Sequence, residues 1–196
     1  MILLLAFVVS ILMALARGGR LTALAKVPFR HGWAAMTAFA LQIIVIYFPL
    51  PVSAGLASPR ALLLMGSYAL LLFVVWANCR LPGMILVGAG LAMNLIVMAA
   101  NGGYMPITSE AVGRAGLQHL VQSADTGARL MATKDILLPR DQTRFWFLSD
   151  VFAIPSSWPV SSVFSIGDVV LALGVFWFFQ RTLLARDAVT ESTVLA

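Results

Sequence analysis

Apolar residues run in five continuous blocks along the chain, at 2–16, 33–52, 61–77, 84–100 and 163–180, with polar residues gathered between them. Four of the blocks approach the roughly 17–25 residues that a helix needs to cross about 30 Å of hydrocarbon. The first is shorter. Ala14-Leu15-Ala16 at its end is similar to a signal-peptide cleavage site, but no Lys or Arg precedes the block and Arg17, Arg20, Lys26 and Arg30 follow it, so it reads as a retained helix. Between the fourth and fifth blocks, 101–162 is a long connection without a span of its own, a length that points to function or independent folding.

Composition agrees with the pattern. Of 196 residues, 61% are apolar and 11% charged, too little polar material to coat a water-soluble globule, and the apolar runs exclude disordered, collagen-like and disulfide-scaffold classes. The net charge of +5 comes from thirteen Lys and Arg scattered among apolar blocks, which argues against a nucleic-acid-binding face. The cations report orientation instead. Four of them in the first connection place it in the cytoplasm, the N-terminus outside, the Asn78–Gly83 turn inside, 101–162 outside, and Arg181 and Arg186 inside. Cys79 is the only cysteine, so no intramolecular disulfide is possible, and with His31 and His119 it makes no recognisable metal site. Neither a metal nor a cofactor is expected.

Within 101–162, Thr108 or Ser109 can cap a helix running to about Ser123, with Val112, Ala115, Leu120 and Val121 as its apolar stripe, lying on the membrane surface. Tyr104, Phe145, Trp146, Phe147 and Trp158 fall where headgroup-level aromatics belong. Pro155 and Pro159 keep the approach to the last helix irregular. Arg17-Gly18-Gly19-Arg20 reads as a glycine helix stop flanked by arginines that reach for lipid phosphates, and Gly88-Ala89-Gly90 as a small face for helix packing. Asp125-Thr126-Gly127-Ala128 spells the tetrapeptide of soluble aspartic proteases, but it lacks the β-rich lobes that would pair two such aspartates and reads as a turn after a helix.

The candidate chemistry is acidic. The topology brings Asp150 and Asp168 to one boundary from the two ends of 151–167, with Asn101 at similar depth. Two carboxylates within hydrogen-bonding distance cannot both ionise easily, so such a pair can deprotonate a water and protonate a leaving amine. The same residues have a structural reading. Ser165-Ile166-Gly167-Asp168 spells a capping box, Asp150 can make an Asx-turn, and Asn94 and Asn101, seven apart, can join helices.

Asp150, followed by Phe164-Ser165-Ile166-Gly167-Asp168 and an apolar helix, resembles the C-terminal part of the lipoprotein signal peptidase family, and Asn101-Gly102-Gly103-Tyr104 is faintly similar to that family's Asn box. That resemblance implies a catalytic Asp150/Asp168 pair with Asn101 as a substrate-orienting group. Ser165 and Gly167 stand where that family has asparagine and alanine. The wider pattern, Arg17-Gly18-Gly19-Arg20, Asn101-Gly102-Gly103-Tyr104-Met105-Pro106 and Phe164–Asp168, resembles a family of uncharacterised bacterial multi-pass membrane proteins. This second resemblance implies a fold and a membrane location, with no activity attached.

The sequence thus predicts an all-α membrane protein: a single integral domain over 1–196, a five-helix transmembrane bundle with a partly helical extracytoplasmic cap at 101–162, in a bacterial plasma membrane with the C-terminus cytoplasmic. Its expected partners are the lipid bilayer and a membrane protein or a second copy of itself, and no nucleic acid. The first functional reading is non-enzymatic binding or scaffolding through the cap. The second is a membrane aspartic peptidase using Asp150 and Asp168, and the third a small-solute transporter, suggested by Gln42, Asn78 and Asn94 in or near the spans.

Overall fold

The computed structural model describes residues 2–48, 55–122, 127–131, 133–158 and 160–185. The protein is mostly helical. Five apolar helices form its body: α1 (Ile2–Ala16), α2 (Gly32–Tyr47), α3 (Pro59–Ala77), α4 (Met84–Ala100) and, after the long connection, the last helix Ile166–Leu183. That last helix starts three residues later than the apolar block because Ser162–Phe164 is spent on a strand. Among the described residues only α3, with 19 residues, and the last helix, with 18, are long and apolar enough to cross a membrane; the other three apolar helices have 15 to 17 residues.

The connection is partly helical but also carries strands, which the sequence pattern did not predict. Among the described residues it holds one short α-helix, α5 (Ser109–Ala115), three single 3-10 turns (Gln118–Leu120, Arg140–Gln142 and Trp146–Leu148) and four three-residue strands, β1 (Met105–Ile107), β2 (Asp135–Leu137), β3 (Phe152–Ile154) and β4 (Ser162–Phe164); the last helix is therefore α6. Thr108 caps α5 as expected, its Oγ1 accepting from the Ala111 amide at 3.2 Å. The helix ends far short of residue 123, because Gly116 turns left-handed (φ +69°) and the chain then doubles back in an antiparallel bridge between Val121 and Leu130. Ala111 and Val112 pack with Ile107 and Leu130 in a core belonging to the cap itself, instead of forming a free apolar stripe. β1 pairs in parallel with β2, and β3 pairs with β4 as an antiparallel hairpin where an irregular approach was expected; Pro159 lies outside the described residues.

The body helices stand in the order α2, α3, α4, α6, α1, with the last-made helix inserted between the fourth and the first. The α4/α6 seam is close. Gly90 and Gly167 face each other so tightly that a Cβ at Gly90 would stand 2.5 Å from the Gly167 carbonyl oxygen, and one at Gly174 2.6 Å from the Val87 amide. Gly88 lies against Val75 of α3. Polar side chains sit inside the helical layer and large apolar ones outside it: Ser10, Ser67, Asn94 and Gln180 are buried, while Trp33, Met36, Trp76 and Ile85 are 65–74% exposed. Gln180 donates to the Ser10 carbonyl (2.9 Å), Gln42 to Ser67 Oγ (3.3 Å), and Arg60 to the Val45 carbonyl.

Both double-glycine motifs stop helices. Gly19 donates to the Ala14 carbonyl at 2.9 Å around left-handed Gly18, and Gly103 donates to that of Met98 at 2.7 Å around left-handed Gly102, each the six-to-one bond of a Schellman turn. Gly103 also lies so close to Ala61 that a Cβ there would come within 2.3 Å of the Ala61 Cβ, which sets β1 directly over α3. β1 consequently joins two cores, Met105 belonging to that of the helices and Ile107 to that of the cap.

Candidate functional site

The capping box at the start of α6 is present. Ser165 Oγ accepts from the Asp168 amide at 3.0 Å, and Asp168 Oδ2 accepts from the Ser165 amide at 3.2 Å. Asn94 of α4 closes the arrangement, donating through Nδ2 to Asp168 Oδ1 (2.8 Å) and accepting at Oδ1 from the Ser165 hydroxyl (2.9 Å). Both carboxylate oxygens of Asp168 are thus engaged in starting α6 and tying it to α4. Asn94 lies about 9 Å, or six helical residues, below the end of α4, so this ring sits well inside the helical layer. Gly167 is required beside it, since a Cβ there would stand 2.1 Å from Asn94 Oδ1.

Asp150 reaches the same region from the cap. Its backbone bridges to Ile107, its amide donating to the Pro106 carbonyl at 3.1 Å, so that β1 is flanked by Asp150 on one side and Asp135 of β2 on the other. Asp150 and Asp135 are buried, at 3% and 7% exposure, and the Oδ1 atom of each lacks a hydrogen-bond partner. The group that makes this tolerable is Lys134, half-buried, whose ammonium donates to the Tyr68 hydroxyl of α3 at 2.8 Å.

The charges act on one another. Burial pushes the Asp150 carboxyl well above its usual range; Asp135 and Asp168 push the same way, and Lys134 opposes them. Burial likewise pushes Asp135 up to about 6 against the pull of Lys134. Burial disfavours the Lys134 ammonium, but Tyr68, Asp168, Asp150 and Asp135 outweigh it and raise its proton affinity. Arg129, whose guanidinium donates to the Thr133 carbonyl at 3.2 Å, is lowered by burial and held up by Tyr104 and Asp135.

The structure therefore brings Asp150 and Asp168 into one electrostatic cluster in which a lysine is the shared counter-charge. Asn101 is elsewhere engaged: its side chain donates to the Val97 and Arg144 carbonyls (2.8 and 2.9 Å) and accepts from the Arg144 amide (2.9 Å), fixing the start of the turn that leads to Asp150. Lys134, Asp135 and Tyr68 escaped the sequence reading. One signal was available, because eleven of the thirteen cations are arginine and Lys134 is the only lysine in the outer segment. Tyr104 is buried with its hydroxyl 3.2 Å from Ser58 Oγ, and so does not belong with the exposed aromatics Phe145, Trp146, Phe147 and Trp158. Asp125 and Thr126 lie outside the described residues. Among the described residues no group of three His, Cys, Asp or Glu side chains is placed to hold a metal ion.

In the cap a cleft of about 690 Å³ opens between Thr108–Glu110 and 139–146, with the Arg140 guanidinium 3.3 Å from the centre of the Trp146 ring. Its lining carries both signs of charge, Glu110 and Asp141 with Arg140.

Residues 26–180 match the model of a family described as a family of unknown function, DUF5317. The chain belongs to that family. The matched stretch holds the Asn101–Pro106 and Phe164–Asp168 motifs, which in this family member are the second helix stop with β1 and the capping box, while Arg17–Arg20 falls before it. The chain is also similar to an uncharacterized protein of Thermotoga maritima, 28% identical over 110 residues. That stretch is 56% of this chain, which spans 57% of the relative's length. No solved structure matches.

Proposed function

We propose that this is a multi-pass membrane protein with a non-enzymatic binding or scaffold role, its five apolar helices embedded in lipid and its cap presenting the Thr108–Trp146 cleft to a polar partner on the outer side. Membrane embedding is supported by the inside-out distribution of side chains: an apolar surface as large as that around Trp33, Met36, Trp76 and Ile85 is an aggregation liability in water and a matched surface in lipid. The binding role rests on one observation. Asp168 has both oxygens committed to Ser165 and Asn94 and the acidic cluster is enclosed, whereas the cap cleft is open. A photo-crosslinking side chain at Thr143 should give a discrete adduct in cells that Arg140→Ala abolishes and Asp150→Asn leaves intact. Loss with Asp150→Asn but not with Arg140→Ala would place binding elsewhere.

The peptidase reading keeps one favourable observation, the buried and unpartnered Asp150 Oδ1 with raised proton affinity near Asp168. It requires Asp150→Asn to abolish processing of a membrane-tethered peptide while membrane insertion persists. Processing that survives the substitution removes it.

A further inference from the structure

At the opposite end of the helices from the cap, a groove of about 810 Å³ runs along α6 with two arginines at its mouth. Leu173, Phe176, Trp177 and Leu184 recur at the spacing of one helical face, a wall about 16 Å long, and Leu86 of α4 closes one side. Leu173 and Trp177 are about half exposed, so this wall faces the surroundings of the protein.

The polar end is pre-arranged. Arg17 donates through Nη1 to Gln180 Oε1 at 2.7 Å, and Gln180 is fixed in turn by its bond to the Ser10 carbonyl. The turn that carries Arg17 is stitched to the end of α6, Arg20 donating its amide to the Leu183 carbonyl at 3.0 Å. Arg181, one residue beyond Gln180 and exposed, lines the same groove, and no acidic residue is among the described residues that line it. Two guanidinium groups at the head of an apolar trough match an anion that carries a long apolar chain. An isolated anion would leave the trough empty, and a neutral lipid would leave the arginines without a counter-charge. Basic pockets between membrane helices bind anionic headgroups for this reason, the planar fork suiting phosphate oxygens.

We propose that this groove is a binding site for an anionic phospholipid, its phosphate between Arg17 and Arg181 and an acyl chain along the apolar wall from Leu173 of α6 to Leu184 just past its end. The site rests on the membrane reading above but is separate from the cap cleft, and the two fail separately. Sedimentation of the protein with washed membranes tests the first, and lipid selectivity of the purified full-length chain tests the second.

The experiment is native mass spectrometry of detergent-purified protein titrated with phosphatidylglycerol or phosphatidylcholine. Two basic contacts at a lipid headgroup should favour phosphatidylglycerol about 10–30-fold in the unaltered protein. R17Q/R181Q should bring the ratio close to one, while R30Q/R80Q, which removes two cations of a second groove lined by Pro28, Arg30, Trp76 and Arg80, should keep it. If the double variant fails to fold, R181Q alone should lower the ratio several-fold. An unchanged ratio in R17Q/R181Q, or in R181Q where the double variant fails, overturns the site, and so does an equal loss in R30Q/R80Q, which would show a diffuse basic surface in place of a groove.

Discussion

Lys134 is the residue on which the junction of cap and helices depends. It is the cation that acts on all three buried carboxyls, Asp135, Asp150 and Asp168, two of which have an unpartnered oxygen. Removing one partner of such a cluster leaves uncompensated charge, which typically costs about 3–5 kcal/mol. Lys134→Met should therefore lower stability by about that much at pH 7.5, and by visibly less at pH 5, where the carboxyls can take up protons; thermal unfolding in detergent at the two pH values measures both. Asp135 gives the sign of the pH dependence. Its folded pKa, about 6, lies above the ordinary carboxyl value, so the folded state holds more protons than the unfolded one between about pH 4 and 6. Its stabilising contribution is complete below that window and lost as pH rises through 6. Acidification from pH 7.5 to 5 should thus stabilise the protein, by about 1 kcal/mol from this residue alone, and Asp135→Asn should flatten the slope. A stability that falls over the same range would place the cluster's protons elsewhere.

Among the elements, the α4/α6 seam makes a paired prediction from glycine. A Cβ at Gly90 has only the Gly167 carbonyl and Leu171 in front of it, so Gly90→Ala should part the helices and cost about 1–3 kcal/mol. Gly66, in the middle of α3, has nothing within 4 Å of the same position, so Gly66→Ala should leave stability unchanged or improve it by up to about 1 kcal/mol. The contrast, measured by thermal unfolding, separates packing from propensity. The helices were legible in the sequence because their pattern is local: α1, α3 and α4 match their apolar blocks to within two residues, and Ser165 and Asp168 announce a capping box with three-residue spacing. The cap was not legible, for the opposite reason. Its strands are three residues long, too short for alternation to register, and β1 is paired only because Asp135 and Asp150 are brought to it across 30 and 43 residues of chain. For the same reason the acidic pair could be named from sequence while its lysine was missed: Lys134 meets Tyr68, 66 positions away, through tertiary structure alone.

For the whole molecule, the distribution of cations and the exposed thiol make orientation testable. Cys79 is exposed in the turn between α3 and α4 and is the sole cysteine. In the proposed topology a membrane-impermeant maleimide should label it only after permeabilisation, whereas His119→Cys in a Cys79→Ser background should react in intact cells. The reverse result would invert the arrangement and move the cap cleft to the cytoplasm. The neighbour order α2, α3, α4, α6, α1 has one more consequence, for biosynthesis. At roughly 5–20 residues per second, a ribosome needs on the order of 10–30 s after completing the first apolar helix to deliver the sixth. During that interval α1 has emerged and its neighbour does not yet exist, so an insertion machinery or a companion protein that shields Ser10 and the small-residue side of α1 has a defined window in which to act, closed when Gln180 arrives.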